Sequence, residues 1–139
     1  MDTQLKEAIF SQVKIEPYAQ ALKMELVALE EGFSAVEMDY RSEMDNMFGR
    51  AHGGAIFSLI DEAFETVCQT AGSVTVALNV AVNYVASPEA GARLRAEARE
   101  VSATKRTATY DIKVHDGKGT LIAVCQAVAY RTGKPLPFM

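Results

Sequence analysis

The sequence has no tryptophan and only two cysteines and two histidines in 139 residues. Cys68 and Cys125 are far apart, and no C-x-x-C occurs. A zinc centre needs more of these ligands at closer spacing, so no metal is expected. Both cysteines read as free, reduced and buried, since a free thiol packs as a small hydrophobe. An excess of positive charge is also absent, the net charge being −4. The run Arg93, Arg95, Arg99 is broken by Glu97 and followed by Glu100, so no basic patch forms and no nucleic-acid partner is expected. No apolar run approaches the ~20 residues of a membrane span. The opening ten residues carry Asp2, Lys6 and Glu7 where a secretory leader needs an apolar stretch, so no membrane association and a cytoplasmic location are expected.

What is present is enough for one core. Hydrophobic residues make up 49% and charged residues 23%, and the length suits a single domain over 1–139. No repeat or linker interrupts it. The periodicity predicts a helix over about 3–13, with Leu5, Ala8, Ile9 and Val13 on one side. Pro17 opens a second short helical turn, giving a helical segment over about 3–22. Strand patterns run from about 24 to 30 and from 33 to 40, around a turn at Glu31-Gly32. A long apolar helix is expected over 55–71, with Ile56, Phe57, Ile60, Ala63, Phe64 and Val67 on one face and Gly72 as its stop. Strands follow at 75–84, 92–101, 107–114 and 120–130, the last two joined by a tight turn at 115–119. The tail, 133–139, is expected to be loose. Strands, one helix, then a meander of strands make an α+β arrangement with the helix against an antiparallel sheet.

Chemistry concentrates in residues 46–61. Gly53 and Gly54 stand at the start of the long helix, where N–H groups lack partners and the backbone carries partial positive charge. Without side chains there, a carbonyl oxygen can come close, as in an oxyanion hole. The plainer reading is a tight loop-to-helix turn. Asp61 lies inside an apolar helix, where a carboxylate must face a cavity, a partner or water. Glu62 is expected to face solvent or an interface, and Glu65, one turn beyond Asp61, is open to several roles. His52 lacks the Ser or Cys partner of a catalytic triad, which favours positioning over direct chemistry. His115, in the turn, is expected to be idle. Met44 and Met47 read as gap-fillers or as lining for an acyl pocket.

Spacing adds an inference. Gly53 and Asp61 are separated by ~12 Å along one helix. A base must lie within ~3 Å of the group it serves. If both act on one carbonyl, two antiparallel helices from two chains supply them, so a twofold dimer with shared sites is expected.

The run Asn46-x-x-Gly49-x-x-His52-Gly53-Gly54, with Phe57-Ser58-Leu59 and Asp61, resembles the signature of the phenylacetate-pathway (PaaI-like) branch of hotdog-fold acyl-CoA thioesterases. The likeness continues through Asn83-Tyr84-x-x-Ser87-Pro88, Gly91-x-x-Leu94, Tyr110-Asp111-Ile112 and Tyr130-Arg131. It implies a curved antiparallel sheet wrapped round one long helix, assembled as a homodimer or homotetramer. It implies an acyl-CoA substrate, possible aromatic acyl groups such as phenylacetyl, and no cofactor. By the same resemblance, Asp61 serves as general base or nucleophile and Gly53 polarises the thioester carbonyl from the other subunit. Asn46 orients water or thioester. Thr75 stands near where some relatives hold the water with a strand hydroxyl. Gly54 and Glu65 complete the expected substrate contacts. A hotdog hydratase or dehydratase using His52, and a non-catalytic acyl-CoA binding module, are the competing readings.

Overall fold

The computed structural model describes all 139 residues. The chain opens with α1 (Thr3–Val13), whose first turn is capped by Asp2 accepting from the Leu5 N–H at 3.3 Å. Leu5, Ile9 and Val13 are its buried face. Then α2 (Pro17–Leu22) begins on a proline, where the missing N–H costs nothing. Strands β1 (Glu25–Glu30) and β2 (Phe33–Asp39) form a hairpin. A short 3-10 turn, Ser42–Met44, leads to the long helix α3 (Gly53–Gln69). It starts and ends two residues before the expected range, and Gly72 beyond it takes φ +77° to turn the chain. Strands β3 (Thr75–Tyr84), β4 (Arg93–Ala103), β5 (Thr107–His115) and β6 (Leu121–Arg131) complete the chain.

All six strands lie in one antiparallel sheet of order β1-β2-β4-β5-β6-β3. The register slips in four of the five pairings, at Leu26/Ala28, Ala77/Asn79, Glu100/Ser102 and Val114/His115. Each slip bends and twists the sheet locally. The core lies between α3 and the sheet. Small residues from the strands (Ala96, Ala98, Ala108, Ala123, Ala127, Ala129) make room for Leu59, Ile60, Phe64 and Val67 of the helix. The Phe64 ring meets Tyr110 edge-on, with centroids 5.6 Å apart. Burying each large side chain contributes about 1.5–3 kcal/mol. This is the hotdog architecture: one helix held by one antiparallel sheet.

Two expectations need correction. Phe57 is not on the core face but on the exposed side of α3. A helix in a sheet buries only the part of its circumference that the sheet reaches, and position 57 lies outside it. The tail is not loose: Leu136 is buried with Leu5, Ile9 and Leu29, and the Lys134 carbonyl accepts from Val74. The apolar residues of β3 do not all enter the core. Because β3 is an edge strand, Val76 and Leu78 are 47% and 60% exposed. No helix is long and apolar enough to cross a membrane.

Candidate active site

The helix start is built by His52. In extended conformation it caps α3, its Nδ1 accepting from the Gly54 N–H at 2.9 Å. A neutral His52 therefore carries its proton on Nε2. The N–H groups of Ala55 and Ile56 bond the His52 carbonyl. The Gly53 N–H has no partner in the chain, so one donor of the first turn stays free and carries the positive end of the helix dipole. Two contacts explain why glycine occupies these positions. A Cβ on Gly53 would come within 3.3 Å of the Tyr84 ring, and one on Gly54 within 3.1 Å of His52 Nδ1. Tyr84 also donates its hydroxyl proton to the Gly53 carbonyl at 3.1 Å, fixing that peptide from the far side. Pattern reading missed this residue as a site member. Its only signal was its place in the Asn83-Tyr84-x-x-Ser87-Pro88 run. A shallow cavity of about 280 Å³ lies against this start, lined by Ala51, Gly53, Ile56, Tyr84 and Ser87 among others.

Asn46 shapes the loop before the helix. Its Oδ1 accepts from the Phe48 N–H at 2.9 Å and the Arg50 N–H at 3.2 Å. Its amide Nδ2 makes no bond in the chain, so the nitrogen is the end free to reach a substrate or water. Met44 is buried in the core, whereas Met47 is almost fully exposed.

Two and a quarter turns past Gly53, Asp61 lies on an exposed stripe with Phe57 and Glu65. Its carboxylate makes no hydrogen bond or ion pair in the chain. Partial burial nevertheless raises its pKa above the ordinary aspartate value, because the charged form loses hydration. Glu65 reaches solvent yet is pushed up to about 7, by burial first and then by the charges of Glu16 and Asp61. Thr75 sits at the other end of α3 from Gly53. Gln69 clasps its backbone, bonding the Thr75 carbonyl at 3.0 Å and its N–H at 3.2 Å. The buried Thr75 hydroxyl donates to the Ser73 carbonyl at 3.0 Å, so its proton serves the local loop.

Glu62 overturns its expectation. It is 3% exposed rather than facing solvent. Burial, and the nearby charges of Glu16, Glu65 and Asp61, push its carboxyl up to about 8. The reason is the N-terminal arm. Residues 16–18 lie along this flank of α3, where the Tyr18 hydroxyl meets Ser58 Oγ at 2.6 Å and Glu16 approaches Glu62. Ser58, Glu62 and Glu65 follow i, i+4, i+7 spacing, a second polar stripe visible in the sequence. Nothing in the sequence says which segment covers it.

The family model of the thioesterase superfamily matches residues 48–123, from the loop before α3 into β6. The chain belongs to the thioesterase superfamily. A putative esterase of Archaeoglobus fulgidus is 34% identical over 118 residues, 85% of this chain and 77% of its own. The acyl-coenzyme A thioesterase PaaI of Escherichia coli K12 is 31% identical over 115 residues, covering 83% of this chain and 82% of that one. The structure of the E. coli PaaI protein superposes with TM-score 0.90 over 95% of this chain and 96% of that one, at 27% identity. A Streptococcus mutans UA159 protein solved bound to acetyl CoA superposes with TM-score 0.77 at 28% identity, over 81% of this chain and 91% of that one.

Proposed function

We propose that this thioesterase hydrolyses acyl-CoA thioesters to the free acid and coenzyme A. The observation that carries the reading is the unpartnered Gly53 N–H at the head of the same helix that exposes the desolvated Asp61. The relatives support it: one is an acyl-coenzyme A thioesterase, and one structural neighbour holds acetyl CoA.

The chemistry is as follows. The Gly53 N–H, aided by the helix dipole, bonds the thioester carbonyl oxygen more strongly as negative charge develops on it. Asp61 takes a proton from water, and the water oxygen bonds the carbonyl carbon. The tetrahedral oxyanion then collapses, the C–S bond breaks, and the departing coenzyme A thiolate receives the proton from Asp61. In the alternative route Asp61 itself attacks the carbonyl carbon, and the C–S bond breaks to release coenzyme A thiolate. Water then opens the resulting mixed anhydride to give the free acid and restore Asp61, the water proton going to the thiolate. Asn46 orients water or carbonyl through its free Nδ2. His52 spends Nδ1 on holding the helix start and so acts by positioning, which weighs against a hydratase that needs an imidazole base.

The ~12 Å between Gly53 and Asp61 along α3 keeps them from meeting at one carbonyl. The site is therefore completed across a dimer, Gly53 of one chain facing Asp61 of the other. The free edge of β3 supports this, as ten residues with no charge and no proline. The test is release of coenzyme A thiol from a panel of aromatic, branched and straight-chain acyl-CoAs. Asp61-dependent release is expected, and its ranking identifies the acyl class. No release across the panel by folded protein refutes the reading.

A further inference from the structure

Beside Asp61, three glutamates from two separate segments converge. Glu16 immediately precedes α2, whereas Glu62 and Glu65 lie on α3. Each offers a carboxylate oxygen, and these oxygens all lie within 4.8 Å of one another. None of the three belongs to any ion pair of the chain. A second observation points to a ligand. Glu62 is 97% removed from solvent, and its Oε1 has no hydrogen-bond donor. A buried carboxylate with no positive partner, and only the Glu16 carboxyl beside it, is costly to hold, so a cation or a proton shared with Glu16 must neutralise it.

We propose that Glu16, Glu62 and Glu65 bind one hard divalent cation (calcium, magnesium or manganese) that clamps the junction between α1 and α2 to the flank of α3. The donor set is all carboxylate oxygen, which selects these ions over zinc or copper. Oxygens sharing one ion at about 2.0–2.6 Å can be no more than roughly 5 Å apart, and these satisfy that limit. Glu62 closes the inner side. Exposed Glu65 and half-buried Glu16 leave the outer side open for entry and for the water ligands such ions retain. The cation does not enter the hydrolysis. It fixes the arm whose Tyr18 already bonds Ser58 one turn earlier, and so holds that arm against the flank of α3. The scarcity of histidine and cysteine hid this site from sequence reading, since its third ligand lies 46 residues before Glu62.

The competing neutraliser is a proton, which would quiet Glu62 without holding a metal. Isothermal titration calorimetry separates the two. The full-length chain, stripped with chelator, is titrated separately with CaCl2, MgCl2 and MnCl2. Wild type, Glu62→Gln, Glu16→Gln and Glu89→Gln are compared, the last altering a surface carboxylate paired only with Lys118. The expected result is saturable binding of at least one ion at one per chain. It should weaken at least about tenfold in Glu62→Gln and Glu16→Gln, the loss that even outer-shell changes cause. It should persist in Glu89→Gln. The same cation should raise the melting temperature of wild type but not of Glu62→Gln. Glu62→Gln keeps its shape and removes a buried charge, and Glu16→Gln provides an independent variant on the half-buried arm. No saturable binding of any of the three ions up to about 10 mM, beyond the weakest calcium modules, overturns the proposal. Binding unchanged by both Glu62→Gln and Glu16→Gln, or lost equally in Glu89→Gln, also overturns it.

Discussion

The two edges of the sheet are built differently. The β1 edge is short and guarded. Glu25 and Glu30 stand at its ends, Lys6 of α1 bonds Glu30 at 2.8 Å, and Leu5 and Ile9 pack on Leu29. Its neighbours extend the charge ladder: Arg93 contacts Glu25, Glu37 and Asp39, and Arg95 contacts Glu37 and Glu97. The β3 edge is longer, uncharged and apolar, with Val76 and Leu78 facing outward. An unguarded edge of this kind is a pairing surface. One end of the candidate site lies on it: Tyr84 closes β3 and holds Gly53. The contrast teaches that one edge is finished within the chain, whereas the other is left open, and it is this open edge that the proposed dimer would pair. Damage at β3 should therefore abolish function, and damage at β1 should cost only stability.

The largest effect tests whether the open side carries the chemistry. Asp61→Asn should lower turnover by about 10²–10⁴-fold while leaving folding and assembly intact. Near-normal thiol release would remove Asp61 from the mechanism. Next, Gly53→Pro deletes the free N–H at a helix start whose backbone tolerates proline, after a His52 already extended. Gly53→Ala, which adds the same Cβ against Tyr84 but keeps the N–H, is its control. A loss of about 10²–10³-fold in kcat is expected for Gly53→Pro, with unchanged circular dichroism. Mixing the inactive Asp61→Asn and Gly53→Pro variants sharpens the comparison. Random reassociation gives mixed dimers with one intact site each, restoring about a quarter of wild-type sites. No recovery after verified subunit exchange would place both groups in one chain.

A smaller effect compares the edges directly. Val76→Lys with Leu78→Lys should shift sedimentation from dimer to monomer, with activity falling in parallel. Val27→Lys on β1 should leave both unchanged; equal damage from the two would erase the distinction. Tyr84→Phe keeps the ring but loses the bond to the Gly53 carbonyl. It should lower kcat about fivefold, the scale of one net hydrogen bond.

The smallest effect belongs to the guarded edge. Burial opposes ionisation of Glu37, but the Arg95 and Arg93 guanidiniums outweigh it and hold the carboxyl below its ordinary 4.5. A folded-state pKa below the unfolded one stabilises above about 4.5 and fades as pH falls towards the folded value. The melting temperature should therefore drop below pH 4.5, and Glu37→Gln should shrink the drop. An unchanged pH profile in that variant would show that the ladder contributes nothing.

Local pattern made much of this protein legible. Alternation placed β3 to β6 within about two residues at most boundaries, because a half-buried strand writes its two faces into consecutive residues. The His52-Gly53-Gly54 run and Asp61 stood out because glycine at a helix start and a carboxylate in an apolar helix each break a local rule, as functional sites do. Less could be read where the deciding contact lay far along the chain. Glu62 is buried only because residues 16–18 return to cover it. Phe57 is exposed only because the sheet stops short of it, and Leu136 is held only because α1 and β1 lie beneath it.

By itself the sequence determined the order and type of the elements, the seat of the helix and the residues able to do chemistry. Each of these depends on spacing within a turn or a strand. Tertiary structure alone decided which sheet edge stays open, that Tyr84 braces Gly53, and that three glutamates meet beside Asp61. These depend on which distant segments come together, a choice made by the summed burial of the core rather than by any local run of residues.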